Sequence, residues 1–439
     1  MARSPSSEGD GPSGGGEVAT TNQLSFTIGG FAGQGVKTAG TTFAKVCSRA
    51  GLHVFINEEY PSNIKGEHSY LQVMVSAEPV QAHTRGIDVL LALDKRAILA
   101  HEGELRPGGA ILYDGAELAV SPVDRGLGEV GVTRDDLVVV DLPLVEIARE
   151  VGGGHRMLNS IGLGAVQGLL RFDFDELAAT MRGSLQRLGD ALVAKNLAGA
   201  RRAYDLVREQ YGARFDVRLE RLGGPKRMVL TGNDAIGLGI LEAGVKLYAG
   251  YPMTPASSVL SQMATHARDY GMVSVLTEDE IAALGMVIGA GFAGVRAMTG
   301  TSGGGFCLMS EMLGLAAMCE VPVVILEGQR PGPATGLPTR TEQGDLKFVL
   351  AAHQGDFPRI VIAPGTVQEA FEWAFESFNL AERYQTPVIL LSDKHLGECS
   401  WTSAPFDTAG LKVERGEGGC RAPGHGQRAH RAGLPQRGA

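Results

Sequence analysis

Short apolar runs recur along the first half of the chain, each bounded by glycine or polar residues. Leu24–Ile28, Leu52–Ile56, Tyr70–Val75, Val89–Leu93, Ala110–Tyr113 and Val138–Val140 read as strands. Between the first two lies a stretch with helical spacing, Val36 to Ala50, and Ser160–Leu170 and Phe174–Leu192 read as closing helices. The pattern restarts at Met228. Leu247–Ala249, Val273–Leu276, Ala297–Thr299, Val323–Glu327, Arg359–Ala363 and Val388–Ser392 read as strands, with helices at Asn233–Ala243, Ser257–Tyr270, Glu280–Ala293 and Gly304–Glu320. The helix Val367–Tyr384 carries Phe371, Ala374, Phe375 and Phe378 on one face. Strands alternating with helices predict an α/β fold with two mostly parallel sheets covered on both faces.

Polarity sets the boundaries. Residues 1–22 are rich in Ser, Gly and Thr without an apolar core, which predicts a disordered tail rather than a signal peptide. The first α/β domain then spans 23–212. Residues 213–227 crowd Arg214, Asp216, Arg218, Glu220, Arg221, Lys226 and Arg227 around a Gly-Gly-Pro turn and read as a linker. The second domain spans 228–404. From 405 to 439 the chain becomes a low-complexity basic tail, either natural disorder or a frame that departs from the natural one near Glu417 and leaves the chain truncated.

Composition narrows the function classes. The formal net charge of −9 argues against a general nucleic-acid binder or an adhesive for anionic membranes. No run approaches the ~18 apolar residues of a membrane span. The five cysteines, Cys47, Cys307, Cys319, Cys399 and Cys420, are scattered without CxxC spacing. That disfavours a disulfide scaffold, a zinc ribbon or a self-contained iron–sulfur cluster, predicts no metal ligated by this chain, and suits a reducing cytoplasm. The 62 glycines among 439 residues, about twice the usual ~7%, point to tight turns where backbone approaches a ligand.

The candidate chemistry sits at strand ends. Gly29–Gly35 is a glycine cluster between a strand and a helix, where backbone N–H groups can face an anion, although its spacing is not GxGxxG. Glu58 and Glu59 stand near where a dinucleotide fold wants an acid, and a plain tight turn is the competing reading. The polar connection Glu58–His68 reads either as a functional loop or as a solvated one. In the second domain Tyr251-Pro252-Met253-Thr254-Pro255 forms a stiff turn that fixes Thr254. Glu278-Asp279-Glu280 opens a helix whose small-residue face, Ala282, Gly285 and Gly289, implies close packing. Thr299–Phe306 is a second strand–glycine–helix turn. Glu327–Arg340 is a Pro/Gly-stiffened loop in which Arg330, with threonines nearby, suits a carboxylate through its planar pair of donors.

Taken in order, Tyr-Pro-Met-Thr-Pro, Glu-Asp-Glu-Ile-Ala-Ala, Thr-Ser-Gly-Gly-Gly-Phe and Gln-Arg-Pro-Gly-Pro-Ala-Thr-Gly-Leu-Pro-Thr resemble the 2-oxoacid:ferredoxin oxidoreductases. The nearest likeness is the 2-oxoglutarate:ferredoxin oxidoreductase α subunit (2-oxoglutarate synthase) with an N-terminally fused γ domain. Gly-Gly-Phe-Ala-Gly-Gln-Gly and Glu-Tyr-Pro-Ser-Asn-Ile-Lys-Gly-Glu carry the likeness to the γ domain. It extends from about Ser25 to Ser400. The resemblance implies a γ-type domain followed by a domain that binds the aminopyrimidine end of thiamine diphosphate. It implies decarboxylation of a 2-oxoacid, 2-oxoglutarate by preference, to succinyl-CoA and CO2, with coenzyme A as acyl acceptor and ferredoxin as electron acceptor. Glu280 resembles the family's catalytic glutamate at the pyrimidine ring, a general acid–base role. The turn Thr301, Ser302 and Gly303 resembles cofactor-binding positions, and Thr254, Arg330 and Thr339 resemble substrate-binding ones.

The family often has Pro at the position of Gly304 and Ser at that of Ala334, and its α subunits continue for a further domain beyond the position of Ser400. The only GDG triplet is Gly9-Asp10-Gly11, with no Asn at the distance of the diphosphate–magnesium pattern. The resemblance therefore implies a separate β subunit that supplies Mg2+ and an iron–sulfur cluster, in a cytoplasmic heterodimer or heterotetramer whose active site lies between chains. Two other readings stand beside it: a nucleotide-binding two-domain protein without thiamine chemistry, resting on Gly29–Gly35 and Glu58, and an inactive truncated subunit.

Overall fold

The computed structural model describes residues 20–61, 67–120 and 131–416. The strands are β1 (Gln23–Phe31), β2 (His53–Glu59), β3 (His68–Ser76), β4 (Ile87–Ala92), β5 (Leu105–Tyr113), β6 (Val138–Asp141), β7 (Met228–Thr231), β8 (Leu247–Gly250), β9 (Val273–Leu276), β10 (Ala297–Thr301), β11 (Val324–Gln329), β12 (Ile360–Ile362), β13 (Val388–Asp393) and β14 (Ser400–Ser403). The helices are α1 (Val36–Arg49), α2 (Lys95–His101), α3 (Gly115–Val120), α4 (Leu144–Glu150), α5 (Leu158–Leu169), α6 (Phe174–Leu185), α7 (Asp190–Gln210), α8 (Gly232–Glu242), α9 (Ser257–His266), α10 (Glu280–Phe292), α11 (Gly303–Leu308), α12 (Ser310–Met318), α13 (Leu346–Ala351), α14 (Val367–Tyr384) and α15 (Lys394–Glu398).

Two sheets organise them. Among the described residues one has eight strands, in the order β6-β5-β4-β1-β3-β2-β14-β7, and the other six, in the order β12-β13-β11-β10-β8-β9. The six-stranded sheet is parallel throughout, and its central strands β11 and β13 are buried along their whole length, as strands covered on both faces must be. The eight-stranded sheet is parallel only from β6 to β1; β3, β2, β14 and β7 run antiparallel to their neighbours. The connection between β2 and β3 is too short for a crossover helix, so these strands pair as a hairpin and give this sheet a mixed character.

The strands that flank the second unit, β7 and β14, complete the first sheet. Trp401 on β14 faces Phe55 on β2 in register, with ring centroids 5.1 Å apart. The polar stretch 213–227 is pinned to the first unit: Leu222 N–H donates to the Ala50 carbonyl at 2.9 Å, and Arg218 exchanges backbone hydrogen bonds with Thr20 and Asn22. The remaining residues of the expected tails, 1–19 and 417–439, lie outside the described residues.

Two predicted helices divide in two. Phe174–Leu192 breaks at Gly189, whose φ of 84° no β-carbon favours, and α7 continues to Gln210. Gly304–Glu320 breaks at Met309, which caps α11 and starts α12. No described helix is long and apolar enough to cross a membrane.

Candidate functional site

In the six-stranded sheet the chain leaves β8 for β9 at one edge, then returns past β8 to β10 and builds outward to β13 and β12. The reversal opens a crevice at the carboxyl ends of β8 and β10, the usual position of ligands in open α/β sheets. The turns after β8, β10 and β11 and the start of α10 meet there.

Asp279 caps α10 by accepting the Ala282 N–H at 2.8 Å. Its capping places Glu280 in the first turn, where the helix dipole favours a carboxylate. Glu280 is only 3% exposed. The Thr301 hydroxyl lies 3.4 Å from Glu280 Oε1 and donates toward it. A β-carbon on Gly305 would collide with both groups, so the glycine turn is shaped around the carboxylate. Ser302 is fully buried and its hydroxyl has no hydrogen-bond partner among the described residues. Gly303 begins α11 with the Asp345 carboxylate against it.

Arg330 leaves the end of β11, 7% exposed. Its Nη1 donates to the Thr254 carbonyl at 2.9 Å and its Nη2 to the Thr335 hydroxyl at 3.4 Å. Burial lowers its pKa, while Glu280, Asp345 and Glu327 each oppose that shift through their charge. Thr254 thus meets Arg330 through its backbone. Thr339 is buried in the loop that follows β11, but the hydrogen bonds described for Arg330 do not go to it. That loop is braced at two further points: Gln343 Nε2 donates to Asp393 Oδ2 at 2.5 Å, and Arg340 pairs with Glu59 of the first unit.

Sequence reasoning passed over two groups here. Glu327 is fully buried on β11, opposite Thr301 on β10. Burial and the neighbouring Asp345 carboxylate push its pKa well above the ordinary carboxylate range. An acid directly closing the apolar run Val323-Val324-Ile325-Leu326 is the sequence signal that marks it. Lys394, 2% exposed, was equally silent in the sequence; it donates to the Glu58 carbonyl at 3.1 Å and lies 3.6 Å from Glu59 and 3.9 Å from Glu398.

Most of the small-residue face of α10 is left open: Ala282 and Gly289 are exposed, while Gly285 lies against Met312 of α12. A β-carbon on Gly289 would meet nothing, and Ile281, Met286 and Phe292 on the same helix are 47%, 47% and 78% exposed.

The glycine turn of the first unit holds a different geometry from a dinucleotide site. Gly35 caps α1 in the left-handed region, with Asn159 against it. The Gln34 side chain closes the turn by accepting from Phe31 N–H at 3.0 Å and donating to the Leu93 carbonyl at 3.1 Å. β3 separates β1 from β2, so no parallel strand–helix–strand unit follows the turn, and Glu58 pairs with Lys37 at 2.6 Å. The dinucleotide reading is therefore corrected: the β2–β3 hairpin occupies the place of the second parallel strand. Residues 62–66 of the expected functional loop lie outside the described residues.

Comparison with known proteins agrees with this arrangement. Residues 238–410 match the thiamine-diphosphate-binding domain of pyruvate flavodoxin/ferredoxin oxidoreductases, and residues 25–206 match the pyruvate ferredoxin/flavodoxin oxidoreductase family. The chain is 34% identical over 443 residues to a 2-oxoacid:ferredoxin oxidoreductase α subunit of Sulfurisphaera tokodaii, covering 90% of this chain and 69% of that one. It is 30% identical over 388 residues to the 2-oxoglutarate oxidoreductase subunit KorA of Mycobacterium tuberculosis, covering 83% of this chain and 59% of that one. The solved 2-oxoglutarate:ferredoxin oxidoreductase of Magnetococcus marinus, with 2-oxoglutarate, coenzyme A and succinyl-CoA bound, superimposes with a TM-score of 0.80 at 34% identity, over 88% of this chain and 66% of that one.

Proposed function

The chain belongs to the 2-oxoacid:ferredoxin oxidoreductase family as an α subunit of a multi-subunit enzyme, and from that premise we propose that it serves the decarboxylation of 2-oxoglutarate to succinyl-CoA and CO2, with ferredoxin as electron acceptor. The observation that carries the reading is the 2.9 Å hydrogen bond from Arg330 to the Thr254 carbonyl, which joins the loop after β11 to the turn after β8 on the side where Glu280 is buried.

The thiamine-diphosphate-binding domain supplies the residues for the pyrimidine end of the cofactor. The fit rests on the buried Glu280 carboxylate, the glycine at 305 that gives that carboxylate its room, and the unpartnered Ser302 hydroxyl. When bound, the cofactor supplies the carbanion chemistry that decarboxylation of a 2-oxoacid needs. Glu280 holds and moves a proton at the pyrimidine nitrogen, with Thr301 orienting its carboxylate. Arg330 presents its planar guanidinium to the substrate carboxylate, oriented by Thr254 and Thr335, and Thr339 adds a hydroxyl from the same loop. Thr301, Ser302 and Gly303 line the cofactor's side of the crevice.

A separate β subunit completes the site, bringing Mg2+ and an iron–sulfur cluster. The exposed apolar residues of α10, directly after Glu280, support a partner docking there, since such a patch is otherwise unfavourable in water. The γ-type unit braces the substrate loop through Glu59 and Arg340.

The test is co-expression with a β subunit of the same family, followed by dye reduction dependent on coenzyme A, with 2-oxoglutarate and pyruvate side by side. Turnover selective for 2-oxoglutarate supports the reading. Selectivity for pyruvate overturns the substrate, and an assembled complex inactive on both overturns the activity.

A further inference from the structure

Arg330 lies in the field of three carboxyl groups: Glu280 on α10, Glu327 on β11 and Asp345 before α13. If all three were ionised, the guanidinium would be saturated by the protein's own anions, and a substrate carboxylate would enter against net negative charge. The structure points to how this is avoided. Glu327 is fully buried, and neither of its oxygens accepts a hydrogen bond among the described residues; Asp345 Oδ2 is equally without a donor. Asp345 is tied to the end of the same strand through Gln329, and both its charge and its hydrogen-bonding capacity act on Glu327. A fully buried carboxylate beside a half-buried one keeps its charge only at high cost, and a proton on Glu327 turns two unsatisfied acceptors into a donor–acceptor pair.

We propose that Glu327 holds a proton which it donates to Asp345, so that the two act as a positioning pair, keeping Arg330 electrostatically free for the substrate carboxylate. The inference rests on the substrate-binding role of Arg330. Asp345 is fixed in place by its surroundings: its N–H donates to Gln329 Oε1 at 3.0 Å, and its carboxylate lies beside the start of α11. The charged and titratable groups facing the pair are Arg330 from the end of β11 and Cys307 from α11, whose thiol pKa is raised by burial and then by Asp345. Loss of that proton as pH rises adds a second anion beside Arg330. Affinity for the oxoacid should then weaken, with kcat less affected.

Two experiments probe the pair through Glu327→Gln and Asp345→Asn, each of which keeps the shape while removing one charge. Infrared difference spectra of the whole chain, wild type minus variant at neutral pH, should show a protonated carboxylic-acid carbonyl band that disappears in Glu327→Gln. In the complex with its β subunit, the KM for 2-oxoglutarate should climb by about tenfold per pH unit on the alkaline side of the wild-type profile, stay flat in Glu327→Gln and begin its climb at a different pH in Asp345→Asn. No acid band in the wild type, or the same alkaline climb in the variants as in the wild type, overturns the proposal. The infrared result does not depend on turnover, so a failed activity reading and a failed proton-donating pair are told apart.

Discussion

Arg330 Nη1 donates to the backbone carbonyl of Thr254 at 2.9 Å, joining the loop after β11 to the turn after β8 across the crevice. That bond fixes the guanidinium from a neighbouring loop, and a second, from Nη2 to the Thr335 hydroxyl at 3.4 Å, holds it from its own loop. Lysine keeps the charge but not the planar fork. Arg330→Lys should therefore raise the KM for the oxoacid by roughly 10–100-fold, the scale of one or two hydrogen bonds to a charged group, with a smaller change in kcat. Steady-state kinetics of the complex check it, and an unchanged KM would remove Arg330 from substrate binding.

Glu280 and Gly305 form a second dependent pair. Glu280→Ala should lower turnover by about 10²–10⁴-fold, the usual contribution of a placed acid–base group, without loss of fold. Gly305→Ala should also lower thiamine-diphosphate-dependent turnover, because its β-carbon meets the Glu280 carboxylate and the Thr301 hydroxyl. Normal cofactor affinity and rate in Gly305→Ala would show that the turn does not shape the cofactor's place.

Much of this was legible in the sequence because the signals were local. The apolar runs gave the strands of the six-stranded sheet nearly residue for residue, and the stiff turns at Thr254, Thr301 and Arg330 lie at its strand ends. What the sequence hid depends on pairing over long separations. No local pattern announces that β14 would pair with β2, or that Lys394 would be buried among Glu59 and Glu398. Parallel and antiparallel neighbours share the same twofold alternation, so only the short β2–β3 connection hinted at the mixed sheet. The exposed small-residue face of α10 looked like core because Ala and Gly suit either surface.

Arg296 tests stability apart from chemistry. Its side chain is 1% exposed and binds Glu382 at 2.9 Å, the Ala243 carbonyl at 2.8 Å, Asn379 at 2.9 Å and the Glu414 carbonyl at 2.6 Å. Truncation leaves Glu382 buried without this partner. Arg296→Ala should cost about 3–5 kcal/mol, measured as a lower urea midpoint, while KM and kcat of folded enzyme stay near wild type. Arg415 also reaches Glu382, at 3.0 Å, so Arg415→Ala should cost much less. Equal costs in the two variants would place the burden on the surface pair instead.

The first unit offers a pH-dependent test with a definite sign. His68 Nε2 lies 2.8 Å from His101 Nε2, and His101 Nδ1 lies 2.6 Å from Glu104 Oε2. A positive charge on one ring disfavours a second across this contact, so His68 stays neutral in the folded state. Burial first, then the His101 and Arg96 charges, lowers its pKa from 6.5 to about 4. A lowered histidine pKa means that the unfolded chain takes up a proton which the folded chain refuses. Stability from this group is thus complete above the unfolded value and falls as pH drops from there to about 4, below which its slope ends. Partial exposure of His68 makes the effect modest. Urea midpoints measured at about pH 7 and about pH 5 should fall more for wild type than for His68→Gln, whose amide preserves a donor but cannot titrate. Equal losses in the two proteins would show that His68 is already protonated when folded.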